Sequence, residues 1–404
     1  MYELLIKRGR VLDPGQGIDE VTDIGITGGR IAAVQPDLPE NEAKRVLEIR
    51  GEHRYVVPGL IDIHTHVAHG ATTPGVGMEC CDPDAVGVRS GVTTVVDCGS
   101  VGVANLGVFP VHILPRAQTR VICYVNAGSY AHTMPNPADI NSLDEVSPAA
   151  IERCVERNPG LVSGVKLRLV GPIVSERGEE LVALSKSIAK RHGLPLMVHI
   201  GDSHAAERAH PEHVAELTRV VLRALEPSDI LTHLCTPHVG GVLDEARRPL
   251  PELNEARANG VVLDPALGMG NFGYQVAREQ AELGLVPDTI SSDLTAMGKT
   301  FHSLVECMAK FMAVGYTLQD VVRMTTVNAA RAIGREGDLG AIAVGREADV
   351  TILDVVPGRF TFVDTKREAF TGEYGIAPVH TIRAGELYAP DWGTHPWGWL
   401  PAAG

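Results

Sequence analysis

Between Gly59 and Gly334, short apolar runs of strand length alternate with longer stretches of helical pattern, and this recurrence limits the possible folds more than any other feature of the chain. Eight runs can be counted: Leu60 to Ile63, Thr93 to Val96, Val121 to Val125, Leu161 to Leu167, Pro195 to His199, Asp229 to His233, Val261 to Leu263 and Thr289 to Ser292. Some are nearly continuous in Val, Ile and Leu, as strands covered by helices on both faces must be. Strand and helix in alternation build a parallel sheet, and eight parallel strands point to a closed (β/α)8 barrel of the TIM type. An open doubly wound sheet is the alternative topology.

The flanks have a different texture. From Tyr2 to Val57, short β-type runs (Leu4 to Ile6, Asp23 to Ile26, Ile31 to Val34, Val46 to Ile49) are separated by Gly, Pro and Asp, which predicts a small antiparallel unit. After a helical segment from Leu318 to Ile333, β texture returns at Ala348 to Leu353, Arg359 to Val363 and Val379 to Arg383. The expected organisation is therefore α/β, a barrel over residues 58–340 with a small β-sandwich domain formed by both termini, residues 1–57 and 341–390. The last residues, 391–404, gather all three tryptophans among Pro and Gly, which suggests an arm packed on another surface such as a second subunit, so a homo-oligomer is expected.

Composition removes several classes of function. The 404 residues carry a net charge of −14, and the basic residues are scattered rather than gathered, so neither a nucleic acid nor an anionic membrane is an expected partner. A small-molecule substrate fits better. The seven cysteines form no CxxC pair, which speaks against a disulfide framework and a structural zinc site and suits a reducing cytoplasm. There is no sustained apolar stretch of membrane-spanning length and no export-type start.

The chemistry lies at the ends of the strand candidates. His64 and His66 follow the run from Leu60 to Ile63, two residues apart in an extended segment, so both imidazoles point to one side and can grip one metal. Lys166, His199, His233 and Asp293 close later strand candidates. Lys166 to His199 spans 33 residues and His199 to His233 spans 34, one strand–helix repeat each, while His233 to Asp293 spans 60, two repeats. In a barrel these addresses circle one mouth, where active sites form. Singly, each residue has an ordinary structural explanation: a satisfied core histidine, a helix cap, a partner for a carboxylate. Five such addresses in order are hard to assign to coincidence.

The chain resembles the amidohydrolase superfamily, specifically its binuclear type, which includes dihydroorotases, hydantoinases, isoaspartyl dipeptidases and a group of deacetylase metallohydrolases. The resemblance runs along nearly the whole chain, through Asp13-Pro-Gly-Gln-Gly-Ile-Asp19, Gly29-Arg-Ile-Ala-Ala-Val34, Val57-Pro-Gly-Leu-Ile-Asp-Ile-His-Thr-His66, Thr325-Thr-Val-Asn-Ala-Ala-Arg331 and Gly345-Arg-Glu-Ala-Asp-Val350. It implies two divalent metal ions, zinc in the first place, with His64, His66 and Asp293 on one, His199 and His233 on the other, and Lys166 bridging both as an N6-carboxylated lysine. It further implies hydrolysis of an amide or ester by a metal-bridged hydroxide, with Asp293 as proton shuttle.

Loops speak to the substrate. Dihydroorotases of this type carry an arginine soon after the His-x-His pair, where this chain has Val67-Ala-His-Gly70. The texture of Asn126-Ala-Gly-Ser-Tyr130, Gly164-Val-Lys-Leu-Arg168 and Thr232-His-Leu-Cys-Thr-Pro237 is closest to the deacetylase group, whose members act on N-acetyl amino acids or O-acetyl hydroxy acids. Arg168, two residues beyond Lys166, could bind a substrate carboxylate through its planar fork. Asn126, Tyr130 and His132 are further substrate-binding candidates, while His69, His204, His238 and His302 are read as surface or packing histidines. A hydantoinase-like or dihydroorotase-like cyclic amide hydrolase, a ring aminohydrolase and a non-catalytic scaffold remain as alternatives.

Overall fold

The computed structural model describes residues 1–72, 79–133, 140–171, 173–202, 211–296 and 303–391. The tryptophan-rich arm beyond Asp391, His204 and His302 lie outside the described residues.

Five strands precede the barrel: β1 (Leu4–Asp13), β2 (Ile18–Thr27), β3 (Arg30–Gln35), β4 (Val46–Glu48) and β5 (Arg54–Pro58). Among the described residues three follow it, β13 (Val350–Val363), β14 (Ala369–Arg383) and β15 (Glu386–Tyr388), and all eight form one hydrogen-bonded network in the order β15-β14-β13-β5-β1-β2-β3, with β4 on β1. It wraps a core of Ile6, Ile24, Ile26, Val56, Val350 and Ile352, among others. The N-terminal unit is not purely antiparallel, because β4 and β5 both run parallel to β1. β1 carries a register break between Ile6 and Gly9, where Arg8 takes a left-handed φ of 56°. The first half of β1 then faces β4 and the second half faces β5. Asp23 fastens the break by accepting from Lys7 Nζ at 2.6 Å, Arg8 N at 2.7 Å and Leu38 N at 2.9 Å.

Seven parallel strands make the barrel wall in chain order: β6 (Leu60–Thr65), β7 (Val92–Cys98), β8 (Arg120–Asn126), β9 (Val162–Arg168), β10 (Leu196–His199), β11 (Ile230–Thr232) and β12 (Val262–Asp264). The expected eighth strand is an extended segment rather than a regular strand. It still closes the ring: Leu267 and Gly268 donate to Ser291 and Ser292 carbonyls on one side, while His66 N donates to Leu294 O and Asp293 N to His64 O on the other. Its regularity is lost because polar side chains compete with the ladder. Thr289 and Ser291 hydroxyls bond Asp264, and Ser292 bonds Asp62 through both its amide and its hydroxyl.

The helical segment after Leu318 divides at Thr326 into Leu318–Thr325 and Val327–Ala332. All seven cysteines are free. Among the described residues, no helix is long and apolar enough to cross a membrane.

Candidate metal centre

His64, His66, Lys166, His199, His233 and Asp293 converge at the C-terminal mouth of the barrel. Lys166 Nζ lies 3.2 Å from His64 Nε2, and Asp293 Oδ1 lies 3.0 Å from His66 Nε2 and 3.4 Å from His64 Nε2. The His64 and His233 ring centroids are 5.2 Å apart, and those of His199 and His233 are 4.1 Å apart. One ligand atom from each of His64, His233 and Asp293 fits within a 4.8 Å group.

Hydrogen bonds fix which imidazole nitrogen faces the centre. His64 Nδ1 is 2.9 Å from Thr232 Oγ1, whose hydroxyl donates to Asp264 Oδ2, so Nδ1 carries the proton and Nε2 keeps its lone pair. His66 repeats the arrangement through Ser100 to Asp97. His233 donates from Nδ1 to the Ala266 carbonyl, whereas His199 donates from Nε2 to the Gly201 carbonyl and so offers Nδ1. Three rings thus present Nε2 and one presents Nδ1.

Burial lowers the pKa of all four imidazoles, that of His233 to about 3, so each is neutral and able to ligate near neutral pH. Burial also lowers the Lys166 amine from its ordinary value. Burial opposes the Asp293 carboxylate, but its close contact with His66 and the proximity of Lys166 hold its pKa below the usual range. Neutral imidazole nitrogens and one carboxylate, gathered at one mouth of the barrel, are a donor set that suits borderline divalent cations.

The backbone is bent to make this possible. His233 and Asp293 both occupy the left-handed region, with φ of 72° and 52°, which costs non-glycine residues free energy and is concentrated at functional sites. Two glycines make room: a Cβ on Gly99 would stand 2.7 Å from Lys166 Cβ, and one on Gly268 would stand 2.2 Å from Asp293 Oδ2.

A cavity of about 260 Å³ opens above the cluster, walled by Arg168, His132, Val170, Met269, Asn271 and Thr295. His132 is buried, its ring centroid 4.6 Å from that of His66. Two expected substrate contacts are placed elsewhere. Asn126 is fully buried, donating to Gly99 O in the turn after β7 and accepting from Gly128 N in its own loop. Tyr130 is 47% exposed and is not among the described residues that line the cavity. His69 bonds the Cys80 carbonyl, and His238 lines a separate groove.

Sequence reasoning missed the supporting residues Asp62, Asp97, Ser100, Thr232 and Asp264. A readable signal was there: an acid inside or closing a strand that is buried on both faces must be paired, since an unpaired buried charge is too costly.

A model of the amidohydrolase family matches residues 55–387. The chain is 27% identical over 392 residues to a deacetylase of Enterococcus faecalis, covering 96% of this chain and 99% of the relative. Among solved structures, an adenine deaminase superposes with a TM-score of 0.84 at 27% identity, covering 96% of this chain and 100% of that one. A dihydroorotase superposes with a TM-score of 0.81 at 26% identity, covering 96% and 99%.

Proposed function

This chain belongs to the amidohydrolase family and is a metal-dependent hydrolase acting on carbon–nitrogen bonds, and from that premise we propose that it is a deacetylase of small N-acetyl amino acids or O-acetyl hydroxy acids. The observation that carries the proposal is a guanidinium, Arg168, in the wall of a small cavity whose floor is the histidine, lysine and aspartate cluster. A cavity of about 260 Å³ suits a small acylated acid, and an arginine fork is matched to its carboxylate. The full-length likeness to a protein named deacetylase supports the same substrate class.

In this reading His64, His66 and Asp293 would hold one divalent ion, zinc in the first place, His199 and His233 would hold a second, and Lys166 would serve both. Divalent ions in such a site acidify water and polarise the scissile carbonyl. The lowered pKa of Lys166 favours the neutral amine that reaction with carbon dioxide requires, and the resulting carbamate would replace a cation by an anion between the two sites. Asp293, held as a carboxylate beside His66, accepts the water proton at a carboxylate oxygen and delivers it to the departing nitrogen or oxygen. Arg168 holds the substrate carboxylate, and His132, beside His66, lines the approach.

Hydrolysis of a cyclic amide or a ring amine is the second reading, favoured by the likeness to structures named adenine deaminase and dihydroorotase. Against the dihydroorotate case stand Val67 and Ala68, which fill the turn after His66 and are fully buried, so those two positions offer the cavity no cation. The test is acetate release by zinc-loaded enzyme from D and L N-acetyl amino acids and O-acetyl hydroxy acids, with Lys166→Ala as control. Release by the wild type alone is expected. Enzyme that holds two metals and releases no acetate from the whole panel would instead direct the search to cyclic amides.

A further inference from the structure

The terminal sheet touches the end of a loop that walls the cavity. Strands β13 and β14 pair well beyond the terminal core, through Phe360↔Gly372 to Val363↔Ala369, and this extension lies on the helix Leu304–Val314. The contact is close, since a Cβ on Gly372 would stand 3.0 Å from Ala313 Cβ. At the tip, Thr365 and Phe272 exchange two hydrogen bonds: Phe272 N donates to Thr365 Oγ1 at 3.0 Å, and Thr365 N donates to Phe272 O at 3.0 Å. Asp364, buried beside it, accepts from Tyr274 N at 3.2 Å with one oxygen and from Glu368 N at 3.0 Å with the other. Tyr274 stacks on Phe370 of β14 at 3.9 Å between centroids, and Phe272 packs between Phe311 and Phe370.

Phe272 and Tyr274 end the loop that follows β12, and three residues of that loop, Met269, Gly270 and Asn271, wall the cavity. The loop is held at two points. At its start, Leu267 and Gly268 are bonded to Ser291 and Ser292, next to Asp293. At its end the barrel supplies two bonds, from Gly273 N to Cys235 O and from Tyr274 Oη to Ala313 O, and the hairpin tip supplies three, two at Phe272 and one at Tyr274 N.

We infer that Asp364 and Thr365, from the terminal domain, are positioning residues for substrate recognition, acting by fixing the cavity wall formed by Met269 to Asn271. Because the start of the loop is tied independently to the barrel, loosening its end moves the recognition wall while leaving Asp293 and the histidines in place. Substrate affinity and chemical turnover are thereby separable at this loop: the hairpin contributes to the first, beside Arg168, without touching the groups that carry the second. The effect on affinity rests on this cavity being the active site; the physical coupling of hairpin to loop does not.

The test uses Thr365→Val, which keeps shape and removes the acceptor of the Phe272 amide, with Thr365→Ser as the rescue. In Thr365→Val, hydrogen exchange at the Phe272 amide should accelerate at least about tenfold. KM for the acetylated substrate should rise roughly three- to tenfold, the worth of one hydrogen bond, with kcat and bound metal within about twofold of wild type. Thr365→Ser should behave as wild type in all four readouts. Unchanged exchange at Phe272 would overturn the coupling, and faster exchange with unchanged KM would overturn the role in recognition. Equal loss of kcat and metal would also overturn it, by showing general damage to the site. Wild-type protein that releases no acetate defeats the deacetylase reading instead, and the coupling is then decided by exchange alone.

Discussion

His66 Nδ1 lies 2.9 Å from Ser100 Oγ, and that hydroxyl is itself committed to Asp97 at 2.7 Å. The ring is thus held in the tautomer that turns its Nε2 lone pair toward Asp293 and the centre. Ser100→Ala leaves a buried ring N–H without its acceptor and lets the imidazole rotate or change tautomer. Metal affinity should fall about 10- to 100-fold while the fold is kept. Dialysis against a graded series of chelator concentrations, with bound metal measured afterwards, reads this directly. Retention equal to wild type would mean that the relay does not orient the ring.

A single methyl group on Gly268 should separate chemistry from stability. Its Cβ would stand 2.2 Å from Asp293 Oδ2, and the residue has a φ of 53°. Gly268→Ala must therefore displace the carboxylate assigned to proton transfer, and a shift near 1 Å is enough to lower kcat about 100-fold. The backbone strain adds roughly 1 kcal/mol of destabilisation. Gly284→Ala is the control, because it has a similar φ of 73°, lies outside the cavity wall, and a Cβ there meets nothing within 4 Å. Should both variants lose the same activity, the proximity to Asp293 is not the cause.

Arg168 gives a test of substrate class rather than of chemistry. If its guanidinium holds a carboxylate, Arg168→Met should raise KM for N-acetyl amino acids by about 10- to 100-fold, the worth of a charge-assisted pair. An acetylated amine with no carboxylate should lose nothing. Parallel steady-state kinetics on the two substrates decide the matter, and equal losses on both would assign Arg168 to the architecture of the mouth.

The barrel was legible because strands buried on both faces are written as apolar runs, and because His64, Lys166, His199 and His233 sit where those runs stop. Seven of the eight runs from Leu60 to Ser292 became strands with ends within a few residues of those expected. The eighth, Thr289 to Ser292, failed as a regular strand for a reason outside its own sequence: Asp62 and Asp264 on distant strands take its hydroxyls and one amide. The break that divides β1 between β4 and β5 was hidden for a similar reason, since it is stabilised by Asp23, fifteen residues away. Asn126 and Tyr130 show the limit for loops. Their polarity suggested substrate contacts, but whether a loop side chain turns inward depends on backbone hydrogen bonds that no local pattern records.

The same Asp23 supplies a prediction in pH. Burial alone would raise its pKa, but the hydrogen bond from Lys7 and those from the Arg8 and Leu38 amides lower it below the ordinary value. A carboxyl whose folded pKa is depressed contributes stability above its unfolded value, near pH 4, and loses that contribution as pH falls through the folded value. Asp23→Asn should therefore destabilise the protein by about 2 to 4 kcal/mol at pH 7, where Lys7 is left buried without its counter-ion. The gap between variant and wild type should narrow below about pH 4, as the wild-type carboxyl itself becomes protonated. Denaturant unfolding of both proteins from pH 7 to pH 3 measures it. A gap that stays constant across that range would show that the charge on Asp23 is not what holds the break in β1, and that its shape and hydrogen bonds alone suffice.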